Sequence, residues 1–153
     1  DHLPATSVDA VICMGNSFAF FTEQTAVDLL RTWAGALPAG GRLVINSWMI
    51  AEIAIRHFKD REWNPMPGYK YLIENRFLLR PARIESVHTI IPDIGPVEEL
   101  RGVDYIFTLS ELETMLDRAG LTLLDTYSTP RKRPFGLGDG RAYIVAEKKN
   151  GES

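Results

Sequence analysis

One short stretch near the start of the sequence restricts most strongly what this chain can fold into: residues 8–21, VDAVICMGNSFAFF. Its apolar run from Ala10 to Met14 is typical of a parallel strand that is buried on both faces. Gly15-Asn16-Ser17 then gives a turn signal, and three phenylalanines follow directly. Because ligands of doubly wound sheets bind beyond the carboxyl ends of the strands, this turn predicts a functional site.

Charge and cysteine content narrow the class of protein. The net charge of −3 gives no reason to expect a nucleic-acid partner, which usually needs a basic face. The single cysteine, Cys13, excludes an internal disulfide and suits a reducing compartment, so we expect a cytoplasmic protein. Its position in the apolar run predicts an inert core thiol. No stretch approaches the roughly 20 apolar residues of a membrane span, so we expect no membrane partner.

The segment after the turn predicts a strand–helix–strand unit. Thr22 is a candidate helix N-cap, and the helix that follows has one apolar face: Ala26, Val27, Leu30, Trp33, Ala34 and Leu37. A second buried strand is expected over Arg42–Asn46, parallel to the first. Ser47-Trp48-Met49 would then lie at the same edge of the sheet as Asn16. A short helix is expected over residues 50–58.

The middle of the chain has a different character. Tyr69–Leu79, Arg83–Ile91 and Val97–Phe107 are rich in strand-forming residues, and prolines and glycine separate them. With Arg61–Asn64 as a possible further strand, this pattern predicts a small antiparallel sheet inserted beside the parallel one.

The last third predicts a return to the first sheet. Thr108 and Glu111 have the spacing of a capping box, which opens a helix that ends at Gly120. Strands are expected over Leu121–Tyr127 and Arg141–Lys148, with no helix between them. The fold class is therefore α/β.

Several segments together resemble class I S-adenosylmethionine-dependent methyltransferases, in particular the small-molecule branch that includes glycine N-methyltransferase. Residues 11–19 (VICMGNSFA) are similar to that family's fourth-strand motif, and residues 37–45 (LPAGGRLVI) to its entry into strand five. Residues 107–112 (FTLSEL), 118–121 (RAGL) and 141–148 (RAYIVAEK) are similar to its penultimate helix, sixth strand and final antiparallel strand. The resemblance covers nearly all of residues 1–148.

The resemblance implies a Rossmann-like methyltransferase sheet of which only strands four to seven are present. The family's glycine-rich turn after strand one and its ribose-binding acid are not found, so we expect the chain to start halfway through the domain. It should then bind the cofactor weakly or not at all and be inactive by itself. The implied division is residues 1–58 and 108–149 as a partial core, 59–107 as the antiparallel insertion and 150–153 as a disordered tail.

The resemblance also implies roles at the predicted site. The cofactor would be S-adenosylmethionine, bound by Met14, Gly15 and Phe18. A small-molecule substrate, an amine by preference, would contact Asn16, Phe21, Trp48, Met49 and His57. No residue is assigned with certainty to catalysis, and none to a metal.

Other interpretations remain open at this stage. Asn16-Ser17 is also an ordinary turn sequence, and each phenylalanine is also a candidate core residue. The chain as a whole also fits a non-catalytic α/β binding or assembly module, or a fragment of a nucleotide-binding Rossmann oxidoreductase. The antiparallel ending argues against the oxidoreductase. A homodimer through the inserted sheet is a further possibility.

Overall fold

The computed structural model describes residues 4–150, which form two four-stranded sheets and three α-helices. In chain order the elements are β1 (Ala10–Cys13), a 3₁₀ turn (Ser17–Phe20), α1 (Glu23–Ala36), β2 (Arg42–Ser47), α2 (Ala51–His57), β3 (Arg61–Met66), β4 (Tyr69–Leu79), β5 (Ala82–Pro92), β6 (Glu98–Tyr105), α3 (Leu109–Arg118), β7 (Leu121–Tyr127) and β8 (Ala142–Lys148). No helix among the described residues is long and apolar enough to cross a membrane.

The first sheet has the strand order β1-β2-β8-β7. β1 and β2 are parallel, and β8 lies between β2 and β7 and runs antiparallel to both. The predicted parallel unit and the predicted antiparallel last strand are therefore both observed. Since parallel β1 and β2 end at the same edge of the sheet, that edge receives the turn after β1 and the segment after β2.

The first strand differs from its prediction. It ends at Cys13 rather than at Met14, and it is not buried on both faces, because Ile12 is 71% exposed. Val11 and Cys13 face the cluster of buried residues on one side of the sheet, whereas Ile12, on the other face, belongs to no buried cluster of the described residues. Among these residues β1 is also the edge strand, paired only with β2. Cys13 itself is buried, as expected. Burial also raises the pKa of its thiol, which favours the unreactive protonated form.

Two helices cover the first sheet and carry most of the core. Thr22 caps α1 by accepting a hydrogen bond from the Thr25 N–H, and Thr108 and Glu111 form the expected capping box at α3. The apolar faces of both helices meet the sheet in one cluster, which includes Val27, Leu30, Leu43, Ile45, Leu112, Met115, Leu116, Leu121 and Ile144. We call this cluster the first core.

The second sheet is an antiparallel meander in the order β3-β4-β5-β6. β4 has the predicted bounds, whereas β6 is shorter than predicted and leaves Ile106 and Phe107 outside it. One end of this sheet packs on α2 through Ala51, Ala54, Ile84 and Ile106, which we call the second core. The division of the chain into a partial core, an insertion and a tail stays a prediction, and residues 151–153 of that tail lie outside the described residues.

Candidate functional site

The turn after β1 has a backbone that few residues adopt. Gly15 and Asn16 both have left-handed φ angles, 71° and 69°. Glycine reaches this region without strain, and asparagine is among the few other residues that do so readily. The Asn16 N–H donates to the Asn46 carbonyl of β2 at 3.3 Å, and the 3₁₀ turn begins at Ser17. The turn is therefore fastened to the neighbouring strand.

The side chain of Asn16 joins three elements. Its Oδ1 accepts hydrogen bonds from the Ser47 hydroxyl at 2.9 Å and from the Trp48 N–H at 3.2 Å. Its Nδ2 donates to Oδ1 of Asp104, on β6, at 3.4 Å. Because Asn16 is only 5% exposed, this network is shielded from water. Asn16 and Trp48 thus lie at one edge of the sheet, as the sequence predicts.

This network gives Asn16 a structural role, and its predicted contact with a substrate stays a prediction. The sequence suggests that its amide faces a substrate, yet the structure directs both ends of the amide to the protein. The carbonyl oxygen already accepts two hydrogen bonds, so no strong acceptor site is left on it. In this structure Asn16 positions the ends of β1, β2 and β6.

A cavity of about 490 Å³ opens beside this edge. Trp48, Met49 and His57, three of the predicted substrate residues, line it. The Arg141 guanidinium lies 5.2 Å from the centre of the Trp48 ring, a cation–π contact that closes one side. The second sheet contributes further lining residues, among them Asn75 and Ile84. The cavity therefore lies between α2, the end of β2 and the second sheet.

The remaining predicted residues fall into two groups. Met14 and Gly15 are exposed at the carboxyl end of β1. Phe18 instead is 3% exposed and packs in the first core, with its ring centre 6.3 Å from that of Trp33. Phe21 also packs against the first core. Apolar burial thus places Phe18 in the interior, whereas Phe21 is half-buried, and the predicted ligand contacts of both stay predictions.

Sequence reasoning missed a chain of polar groups on the second sheet. The Tyr71 hydroxyl lies 2.6 Å from Nδ1 of His88, and the two rings stack with 5.8 Å between their centres. Burial raises the pKa of Asp104, and positive charge on His88 partly opposes this shift. Period-two alternation places His88 on one face of β5, but only the strand register shows that Tyr71 and Asp104 share that face.

Within residues 4–150, no group of three or more histidine, cysteine, aspartate or glutamate side chains is arranged to hold a metal ion.

Comparisons with known proteins were made by sequence and by structure. No protein-family model matches the chain, and no curated protein matches it either. Solved structures do match. The methyltransferase CcbJ from Streptomyces caelestis superposes with a TM-score of 0.80 at 15% identity, over 92% of this chain. A methyltransferase from Clostridium acetobutylicum, described as S-adenosylmethionine-dependent, gives 0.81 at 11% identity over 94%.

The fold is that of S-adenosylmethionine-dependent methyltransferases. A sugar N-methyltransferase from a Streptoalloteichus species also superposes, with a TM-score of 0.64 at 19% identity over 93% of this chain. The chain spans only 60%, 59% and 56% of the length of these three proteins. The predicted methyltransferase-like fold is thus confirmed, whereas the assignment of its strands as the family's fourth to seventh stays a prediction.

Proposed function

We propose that this chain forms part of a site that transfers a methyl group from S-adenosylmethionine to a small-molecule acceptor, and that the acceptor is an amine. The observation that carries the proposal is the junction at Asn16. There the carboxyl ends of two parallel strands meet beside a 490 Å³ cavity, in a chain with a methyltransferase fold. The similarity to a sugar N-methyltransferase supports nitrogen as the acceptor atom.

The end of β1 suits the methyl donor. Gly15 offers bare backbone with open space where a Cβ would lie, and Met14 exposes an apolar side chain next to it. An apolar surface of this kind fits the methionine part of the cofactor, so we assign Met14 and Gly15 to its binding. The bound cofactor supplies an activated methyl group, which leaves the protein to align the reactants and exclude water.

The cavity suits the acceptor. Trp48 and Met49 are half-buried and give it apolar walls, and His57 lies at its exposed rim. The backbone of Trp48 is fixed by its hydrogen bond to Asn16, so its ring has a defined place relative to the end of β1. Fixing an aromatic wall in this way orients an acceptor without any covalent role for the protein.

The test uses the full-length gene product that contains this sequence, S-adenosylmethionine and a panel of small amines, with methylated products detected by mass spectrometry. We expect methylation of some amines, and a fall in kcat/KM of about tenfold or more for Trp48→Ala, since tenfold corresponds to about 1.4 kcal/mol of lost contact. Trp63→Ala is the matched control, because Trp63 is 53% exposed and lies outside the cavity. Failure of the full-length product to bind S-adenosylmethionine or to methylate any amine would overturn the proposal.

A further inference from the structure

Of the three polar side chains on one face of the second sheet (Asp104, His88 and Tyr71), Asp104 lies at the proposed site. Asp104, on β6, accepts the hydrogen bond from Asn16 Nδ2, so its carboxylate lies at the junction where β1 and β2 end. It is half-buried, and burial raises its pKa. A carboxylate with a raised pKa is a stronger base than an ordinary aspartate, which suits it to accept a proton beside a proposed reaction site.

His88 and Tyr71 lie on the same face of the second sheet as Asp104. Between β5 and β6, Ile84 pairs with Asp104 and Ser86 pairs with Gly102. His88 follows Ser86 by two residues on β5, so its side chain lies on the same face. The imidazole lies over Gly102: a Cβ built there would be in ordinary van der Waals contact with His88 Nε2, at 3.7 Å. With Nε2 directed over Gly102, Nδ1 meets the Tyr71 hydroxyl. The imidazole thus contacts Tyr71 at one ring nitrogen and lies over Gly102, two residues from Asp104, at the other.

The same face offers room for part of a ligand. A cavity of about 520 Å³ is lined by Tyr69, Tyr71, His88, Ile90 and Leu100. Its walls are apolar, apart from the imidazole of His88 and the two tyrosine hydroxyls. This cavity shares no lining residue with the 490 Å³ cavity proposed for the acceptor. Asp104 lies next to the 490 Å³ cavity, because its pair partner Ile84 lines it.

Resting on the proposed function, we propose that Asp104 binds the acceptor in its ammonium form and takes its proton, with His88 and Tyr71 as positioning residues. The N–H bond breaks, the proton goes to an Asp104 carboxylate oxygen, and the nitrogen keeps the electron pair. That pair forms the new N–C bond as the C–S bond breaks, and sulfur leaves with its bonding electrons as a neutral thioether. The proton on Asp104 then passes to solvent.

Other titratable or charged groups near this face also contribute to any pH profile measured at this site. On the second sheet they are Glu62 of β3, Tyr69 and Tyr71 of β4, His88 of β5 and Glu98 of β6, and α2 adds Glu52, Arg56 and His57. The 3₁₀ turn that carries the Asn16 junction contributes no titratable side chain.

The first experiment needs no activity. The carboxyl ¹³C shift of Asp104 is followed against pH by NMR in the wild-type chain, in His88→Gln and in His57→Gln. Because positive charge on His88 lowers the pKa of Asp104, His88→Gln should move that titration to higher pH. His57→Gln is the matched control and should leave it in place, since His57 does not contribute to the pKa shift of Asp104. If the pH midpoint of the Asp104 titration is the same in His88→Gln as in the wild type, the inference is overturned.

The second experiment measures kinetics on the full-length gene product. Asp104→Asn should lower kcat/KM for the amine by about 10²–10⁴-fold, the usual contribution of a general base, and abolish the acid limb of the pH profile. Affinity for S-adenosylmethionine should stay unchanged. Glu99→Gln, an exposed carboxylate on the same strand that is paired with Arg101, should behave as wild type. Methyl transfer that survives Asp104→Asn overturns this inference alone, whereas absence of any methyl transfer in the wild type overturns the proposed function as well.

Discussion

Asn16 is the residue on which the site's geometry depends most. Its left-handed backbone turns the chain after β1, and its buried amide holds the segment after β2. A buried donor that loses its acceptor costs more than an ordinary hydrogen bond contributes, since water cannot replace the lost partner. The Asn16 side chain therefore contributes both to the stability of the fold and to the geometry of the proposed site.

We expect Asn16→Ala to lower the free energy of unfolding by about 2–4 kcal/mol, because it leaves two donors unpaired and places a Cβ-bearing apolar residue in the left-handed region. Urea denaturation measures the change. Asn16→Gly is the matched control: glycine accepts the backbone angle, so it should recover about 1 kcal/mol of the loss. Equal losses for alanine and glycine would show that the backbone angle costs nothing here.

Asp104 should make stability depend on pH in a defined direction. Because its pKa is raised in the folded state, the native protein holds this proton more tightly than the unfolded chain does. Its contribution to stability is thus full below the ordinary aspartate pKa of 3.8 and is lost as the pH rises through the raised value. We expect the stability of Asp104→Asn relative to wild type to rise from pH 3 to pH 7 in urea titrations. A difference that is constant with pH would contradict the raised pKa.

At the scale of the elements, α3 shows how a sequence pattern converts into packing. The capping box fixes where the helix begins, and the spacing of Leu112, Met115 and Leu116 directs all three side chains into the first core. Glu113, between them, faces solvent. This helix therefore offers a buried and an exposed position next to each other.

We expect Leu112→Ala to destabilise the protein by about 2–5 kcal/mol, since it removes buried methyl groups and leaves a cavity. Leu112 is only 3% exposed, so little relaxation toward solvent is available. The neighbouring control Glu113→Ala should change stability by no more than about 0.5 kcal/mol. Thermal or urea unfolding of both variants measures the contrast, and similar unfolding midpoints would mean that the helix face is misassigned.

At the scale of the whole molecule, the chain has two hydrophobic cores rather than one. The first core lies between the helices α1 and α3 and the first sheet, whereas the second core joins the second sheet to α2. The Phe58 and Phe77 rings add an edge-to-face contact at the second core, with 5.7 Å between their centres. The Asn16–Asp104 hydrogen bond links the two parts at the proposed site.

We expect the two cores to respond separately to truncation. Ile84→Ala should speed amide hydrogen exchange mainly in β3–β6, because Ile84 is a buried member of the second core. Leu112→Ala should speed exchange mainly in β1, β2, β7 and β8, since Leu112 belongs to the first core. Exchange measured by mass spectrometry on both variants provides the comparison. Equal acceleration in both sheets after either substitution would show a single cooperative unit.

Local patterns in the sequence were sufficient for most of the elements. Helical spacing and capping residues predicted α1 and α3, and alternation with proline and glycine breaks predicted the meander. The turn at Gly15-Asn16 and its proximity to Trp48 also followed from the sequence, because parallel strands end at one edge of a sheet. These features depend on neighbours along the chain or on a general rule of strand order.

Only the tertiary structure decided which way the key side chains face. The 3₁₀ turn rotates Phe18 into the first core, and the buried hydrogen bonds direct the Asn16 amide inward. The strand register likewise brings Asp104, His88 and Tyr71 together from three strands. The physical reason is that a one-residue shift in register reverses the face of every side chain, and the register depends on which face packs against the core, which is decided by the whole fold.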